Sequence, residues 1–159
     1  MYRIAMLGVL LCLAVLLNAC SASEDAPPQD PVAGEQIDYR DSTGATDVMN
    51  AYEESMVEAI NKNRFSLVAG LLDPEGPLYK EQENLVRHLS GLNIKEKLIN
   101  FQIMNIQKIN GQYKFYIVEK IGIYYPEGKS TVNEYQWIYT VTQHPATSAF
   151  KVFSIERWE

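Results

Sequence analysis

The chain has 159 residues, a formal charge of −6, 47% apolar and 21% charged residues. That is room for one domain and a tail. The charge is uneven: residues 21–47 hold seven acids against Arg40 alone, and residues 48–159 hold 12 basic against 13 acidic side chains. A nearly neutral domain has no basic stripe for nucleic acid and no polybasic patch for anionic lipid.

The chain opens with Arg3 and then an apolar run over 4–17. A membrane span needs about 20 apolar residues, so this run reads as a signal-peptide core. It ends in Leu17-Asn18-Ala19-Cys20, which resembles the lipobox of bacterial lipoproteins. The resemblance implies cleavage after residue 19 and a palmitate-type diacylglycerol on Cys20. Two acyl chains hold a protein stably at a membrane. Two readings compete with it: an ordinary signal peptide with Cys20 free, and a short uncleaved anchor. Cys12 lies inside the apolar run and leaves with it. No thiol then remains for a disulfide or a metal site.

Residues 20–46 contain three prolines, many acids and few large apolar side chains. Such a segment cannot bury enough surface to offset its chain entropy. It is expected to be a disordered linker, about 30 Å long as a coil and at most about 90 Å extended. The domain is expected over 47–159.

Asp47 is the expected cap of a first helix, on which Val48, Tyr52, Met56 and Ile60 share a face. A second, shorter helix covers 65–72. Pro77 opens a third, with Leu78, Gln82, Leu85, Leu89 and Leu92 on one side. Four strands follow, over 97–109, 112–125, 131–143 and 149–158. Asn110-Gly111 is a two-residue hairpin signal, and Gly122 in mid-strand suggests a bulge. Three helices and then four antiparallel strands make an α+β domain. The expected architecture is a curved sheet wrapped on helices, the cone-shaped nuclear-transport-factor-2-like or cystatin-like fold.

Val48-Met49-Asn50-Ala51-Tyr52, the helix over 65–72, Asn110-Gly111-Gln112-Tyr113 and Phe153-Ser154-Ile155 resemble the C-terminal domain of TcaA-type envelope proteins. Those are membrane proteins of Gram-positive bacteria associated with glycopeptide susceptibility and the cell wall. They generally carry a zinc ribbon, a spanning helix and several outer domains; this sequence shows no CxxC pair and one domain. This resemblance implies a binding or accessory role outside the cell, and the lipobox implies that a lipid holds the domain at the outer face of the membrane. A cell-wall component or another envelope protein would be its partner.

No cofactor, metal site or catalytic motif is expected. His88 and His144 have no ligand spacing. Tyr113, Phe115, Ile117, Glu119, Ile121 and Ile123 alternate on one strand face. A carboxyl in an apolar row is a candidate base; it either serves a cavity, pairs with Lys97 or Arg157, or sits at an open rim. Tyr135, Trp137 and Tyr139 form an aromatic face that is either core or pocket wall. The candidate ligand pocket is therefore Phe115, Glu119, Tyr135, Trp137 and Tyr139. The expected function is a non-catalytic envelope binding module. The alternative is a small-molecule-binding or enzymatic cone using Glu119, and converging polar groups in an open cavity would favour it.

Overall fold

A computed structural model of the protein describes residues 34–158. The expected signal peptide, Cys20 and the expected linker as far as residue 33 lie outside the described residues.

The ordered domain starts earlier than residue 47. A two-residue strand β1 (Glu35–Gln36) and a 3-10 turn (Tyr39–Ser42) precede helix α1 (Thr43–Lys62). Residues 34–46 are therefore part of the fold and not of a linker. Their acids are exposed, but Ser42, Ala45 and Thr46 are buried. The Ser42 hydroxyl donates to the Tyr39 carbonyl and lies 3.0 Å from Thr46 Oγ1. Gly44 allows close approach, since a Cβ there would stand 2.7 Å from the Phe150 ring. Asp47 sits exposed within α1 and not at its cap.

Helix α1 buries Ala45, Met49, Tyr52, Met56, Ala59 and Ile60, the spacing of a one-faced helix. Asn63 ends it in the left-handed conformation, φ 50°. The second helix is only α2 (Ser66–Ala69). Beyond it the chain extends, and Leu72 bridges in parallel to Val152. Helix α3 (Pro77–Gly91) begins at Pro77. It buries Leu78, Gln82 and Val86, whereas Leu85 and Leu92 of the expected stripe are 39% and 49% exposed.

The sheet is β1-β2-β3-β4-β5 in order, all antiparallel, with β2 (Lys95–Ile109), β3 (Gln112–Tyr124), β4 (Ser130–Gln143) and β5 (Phe150–Arg157). It has five strands and not four. The extra one is too short and too polar to leave an alternation signal. Asn110 and Gly111 both take positive φ, 52° and 81°, and Ile109 pairs with Gln112 across them. Gly111→Val is expected to cost about 1 kcal/mol or more, because a β-branched residue is strained there. An unchanged urea midpoint would contradict that geometry.

Gly122 is not a bulge. It stays in register with Lys97 and Val132. The irregularities fall on β2, between Leu98 and Asn100 and between Ile103 and Asn105, and between β4 and β5 at Thr140/Val141. Extra residues bend a strand and increase its twist. Here they push Ile99 and Met104 into solvent.

Alternate residues of β3 face the helices. Tyr113, Phe115, Ile117 and Ile121 are buried with Met49, Tyr52, Leu78 and Val152. Helix α1 lies across β2, β4 and β5, and α3 lies beside α1 and β5.

Candidate functional site: an acidic and aromatic cavity

A cavity of about 420 Å³ opens between α1, α3 and the sheet. Its apolar wall comes from Met56, Ile60, Leu89, Ile121, Ile123 and Ile155. Polar groups converge on it from four elements: Glu53 on α1, Gln82 on α3, Glu96 on β2 and Glu119 on β3. Aromatic rings of α1 and β4 complete it.

Local structure places each group. Glu53 is four residues after Met49 and three before Met56, so the helical period turns it inward with them. Glu119 points inward by strand alternation, between Ile117 and Ile121. The Trp137 indole donates from Nε1 to Glu119 Oε1 at 2.7 Å. Glu96 is fixed through its backbone. Its N–H donates to Asn61 Oδ1 at 2.8 Å, and its carbonyl accepts from Asn61 Nδ2 at 2.7 Å. The end of α1 thus pins the start of β2. Tyr135 and Trp137 stack at 5.8 Å between centroids, and Tyr52 meets Tyr139 edge-on at 5.5 Å.

Burial, and then the neighbouring Glu119, push the Glu53 carboxyl well above the usual carboxylate range. The Tyr139 hydroxyl beside it acts in the opposite direction. Burial and Glu119 both favour the neutral form of Glu53. Burial, and then Glu119, push Glu96 up to about 7. Burial first, with the surrounding carboxylates behind it, keeps the Tyr52 and Tyr139 hydroxyls neutral far into the alkaline range. One oxygen of Glu53 and the side-chain oxygen of Gln82 are buried without a hydrogen-bond partner. No group of three His, Cys, Asp or Glu among the described residues is placed to hold a metal ion.

Residues 42–156 match the family described as the TcaA protein NTF2-like domain. The chain belongs to that family. It is similar to the uncharacterized membrane protein YvbJ of Bacillus subtilis (strain 168), 24% identical over 123 residues. That match covers 77% of this chain and 20% of YvbJ, so the chain spans a fifth of its relative's length. The fold is similar to the intermembrane space region of the chloroplast protein ARC6, with TM-score 0.61, 13% identity, and coverage of 76% of this chain and 96% of that one. It is also similar to a ketosteroid isomerase-like protein from Erwinia carotovora atroseptica, with TM-score 0.52, 13% identity, and coverage of 69% and 91%. At these identities the solved structures show the cone fold alone.

Within this NTF2-like domain, Glu119, Tyr135, Trp137 and Tyr139 lie together on the cavity wall. Phe115 does not. It is fully buried, deeper in the cone beside Ile106 and Tyr139, and is core. Glu119 pairs with neither expected cation. Lys97 is opposite Gly122, on the other face of the sheet, and Arg157 stands 5.8 Å over the Trp137 ring. Sequence reasoning missed Glu53, Gln82 and Glu96 as site residues. A helical period started from Met49 would have found Glu53. Gln82 was visible as a polar member of an apolar stripe. Glu96 carries no signal until Ile123 is known to be its partner.

No helix among the described residues is long and apolar enough to cross a membrane.

Proposed function

We propose that this domain is a small-molecule-binding module of the cell envelope. It is held at the outer face of the membrane by lipidated Cys20, and it binds without turning its ligand over. The observation that carries the binding reading is the unfilled cavity on which Glu53, Gln82, Glu96 and Glu119 converge. A domain with no binding role would gain stability by filling that space. Membership of the TcaA NTF2-like family and the likeness to a membrane protein support the envelope setting. A link to the cell wall and to glycopeptide response extends the same reading. One observation favours turnover instead: the Glu53 carboxyl, raised by burial, stands beside a second carboxyl, and such a pairing can act as proton donor and acceptor. That pair lacks a neighbouring cation to stabilise developing charge among the cavity's lining residues.

Two measurements test this reading. Cys20→Ala is expected to move the protein from the membrane fraction to the soluble extracytoplasmic fraction, read by fractionation and immunoblotting. Retention at the membrane would mean a different anchor. A deletion strain is expected to change its glycopeptide susceptibility, and wild-type susceptibility would remove the link to the wall.

A further inference from the structure

The cavity has a chemical bias beyond its size. Among its lining residues are three carboxyls and no Lys, Arg or His. The aromatic residues Tyr52, Tyr135, Trp137 and Tyr139 also line it. Two of its lining residues carry an orphaned atom, and both atoms are oxygens, Glu53 Oε1 and Gln82 Oε1, on residues only 4% and 8% exposed. Gln82 is not an acid, so its unmet acceptor is independent of the acidic cluster. Buried acceptors without donors are costly, by about 1–3 kcal/mol each, and a ligand that donates to them relieves that cost. Aromatic faces and carboxylates both attract a cation. The remaining wall is aliphatic and needs an apolar surface to cover it.

We propose that the cavity takes a protonated primary amine carried on an apolar body, its ammonium between Glu53, Gln82, Glu96 and Glu119. The ammonium N–H groups donate to Glu53 Oε1 and Gln82 Oε1. The Glu119 carboxyl, held by Trp137, accepts a further N–H. The apolar body lies along Met56, Ile60, Ile121 and Ile123. This rests on the reading of the cavity as a binding site and adds the ligand class.

Charged and titratable groups face the site from every wall. They are Tyr52 and Glu53 on α1, Glu81 near Tyr52 on α3, Glu96 on β2 and Glu119 on β3. Tyr135 and Tyr139 on β4 and Arg157 on β5, over Trp137, complete the set. Glu96, pushed up to about 7, changes charge near neutrality. Amine binding therefore tightens as the pH rises from 6 to 8, by about tenfold for one added carboxylate charge.

The test uses the full chain in lipid nanodiscs, with empty nanodiscs as the blank, and tryptophan emission as the readout. The probes are benzylamine, benzyltrimethylammonium, benzyl alcohol and phenylacetate. Benzylamine is expected to bind saturably and at least tenfold more tightly than benzyl alcohol or phenylacetate. Benzyltrimethylammonium, which keeps the charge and lacks the donors, is expected to fall between. Gln82→Leu is expected to weaken benzylamine about tenfold while leaving the melting temperature unchanged or higher, because it removes an orphaned acceptor. Glu96→Gln is expected to abolish the tightening between pH 6 and 8. If benzyl alcohol or phenylacetate binds as tightly as benzylamine, the amine class is overturned and the binding cavity stands. If none of the four binds, both are overturned.

Discussion

Phe115→Ala is expected to destabilise the domain by about 3–5 kcal/mol, the cost of removing a large aromatic from a packed interior. For a domain of this size that lowers the melting temperature by roughly 15 °C or more. The side chain is fully buried in the middle of the sheet, with Ile106 opposite on β2 and Tyr139 opposite on β4. It lies outside the cavity lining, so the variant is expected to lose stability and to leave a correctly formed site in the folded fraction. Tyr135→Ala is the contrasting case. That ring is only half buried and lines the cavity, so its loss is expected to cost much less stability. Urea denaturation of the two variants separates core from wall. Equal costs would mean that Phe115 is not the interior residue described.

Glu96→Gln is expected to stabilise the domain at pH 8 and not at pH 4. The Glu96 carboxyl has its folded pKa raised from the ordinary 4.5 to about 7. As pH rises from about 4.5, the unfolded chain releases this proton before the folded chain does. Stability therefore falls through that window and levels off above about 7. Glu96 is only partly buried, so solvent screening reduces the effect to about 2 kcal/mol. Glutamine is uncharged at every pH and avoids the loss. Glu53 acts in the same direction, since burial and Glu119 raise it as well. Urea midpoints at pH 4 and pH 8 check the sign. A stabilisation of the same size at both values would show that Glu96 carries no pH-linked cost.

The long elements were legible because their periods are long. Residues sharing a face of α1 and the alternation on β3 and β4 declare a helix and strands without further information. Asn110-Gly111 declares its turn because few other residue pairs tolerate two positive φ angles. Short elements were not legible. Strand β1 has two residues and α2 has four, and neither completes a period. The start of α1 was hidden because acidic neighbours outweigh small buried residues such as Ala45 and Thr46 in any composition argument. Bulges on β2 were invisible because Ile99 and Met104 look like strand residues, while Gly122 drew attention for its lack of a side chain.

The site was half legible for the same reason. Strand alternation gave Glu119 and the aromatic row, but it gives a face and not a depth. Phe115 and Glu119 share that face, and only the wrapping of α1 and α3 decides that one is core and the other wall. Glu53 and Gln82 meet Glu119 from separate helices, and no spacing along the chain encodes that meeting.

The central claim is that the space between α1, α3 and the sheet is where this NTF2-like domain binds its ligand. Methyl NMR of the full chain, titrated with the small-molecule fraction of a cell-envelope extract, tests it most directly. Met56, Ile60, Ile121, Ile123 and Ile155 line the cavity, whereas Ile99 and Met104 are exposed outside it. The expected result is saturable shifts at the first five methyl-bearing residues, with Ile99 and Met104 unmoved. Shifts confined to Ile99 and Met104, or no saturable shift at any of the seven, would contradict it.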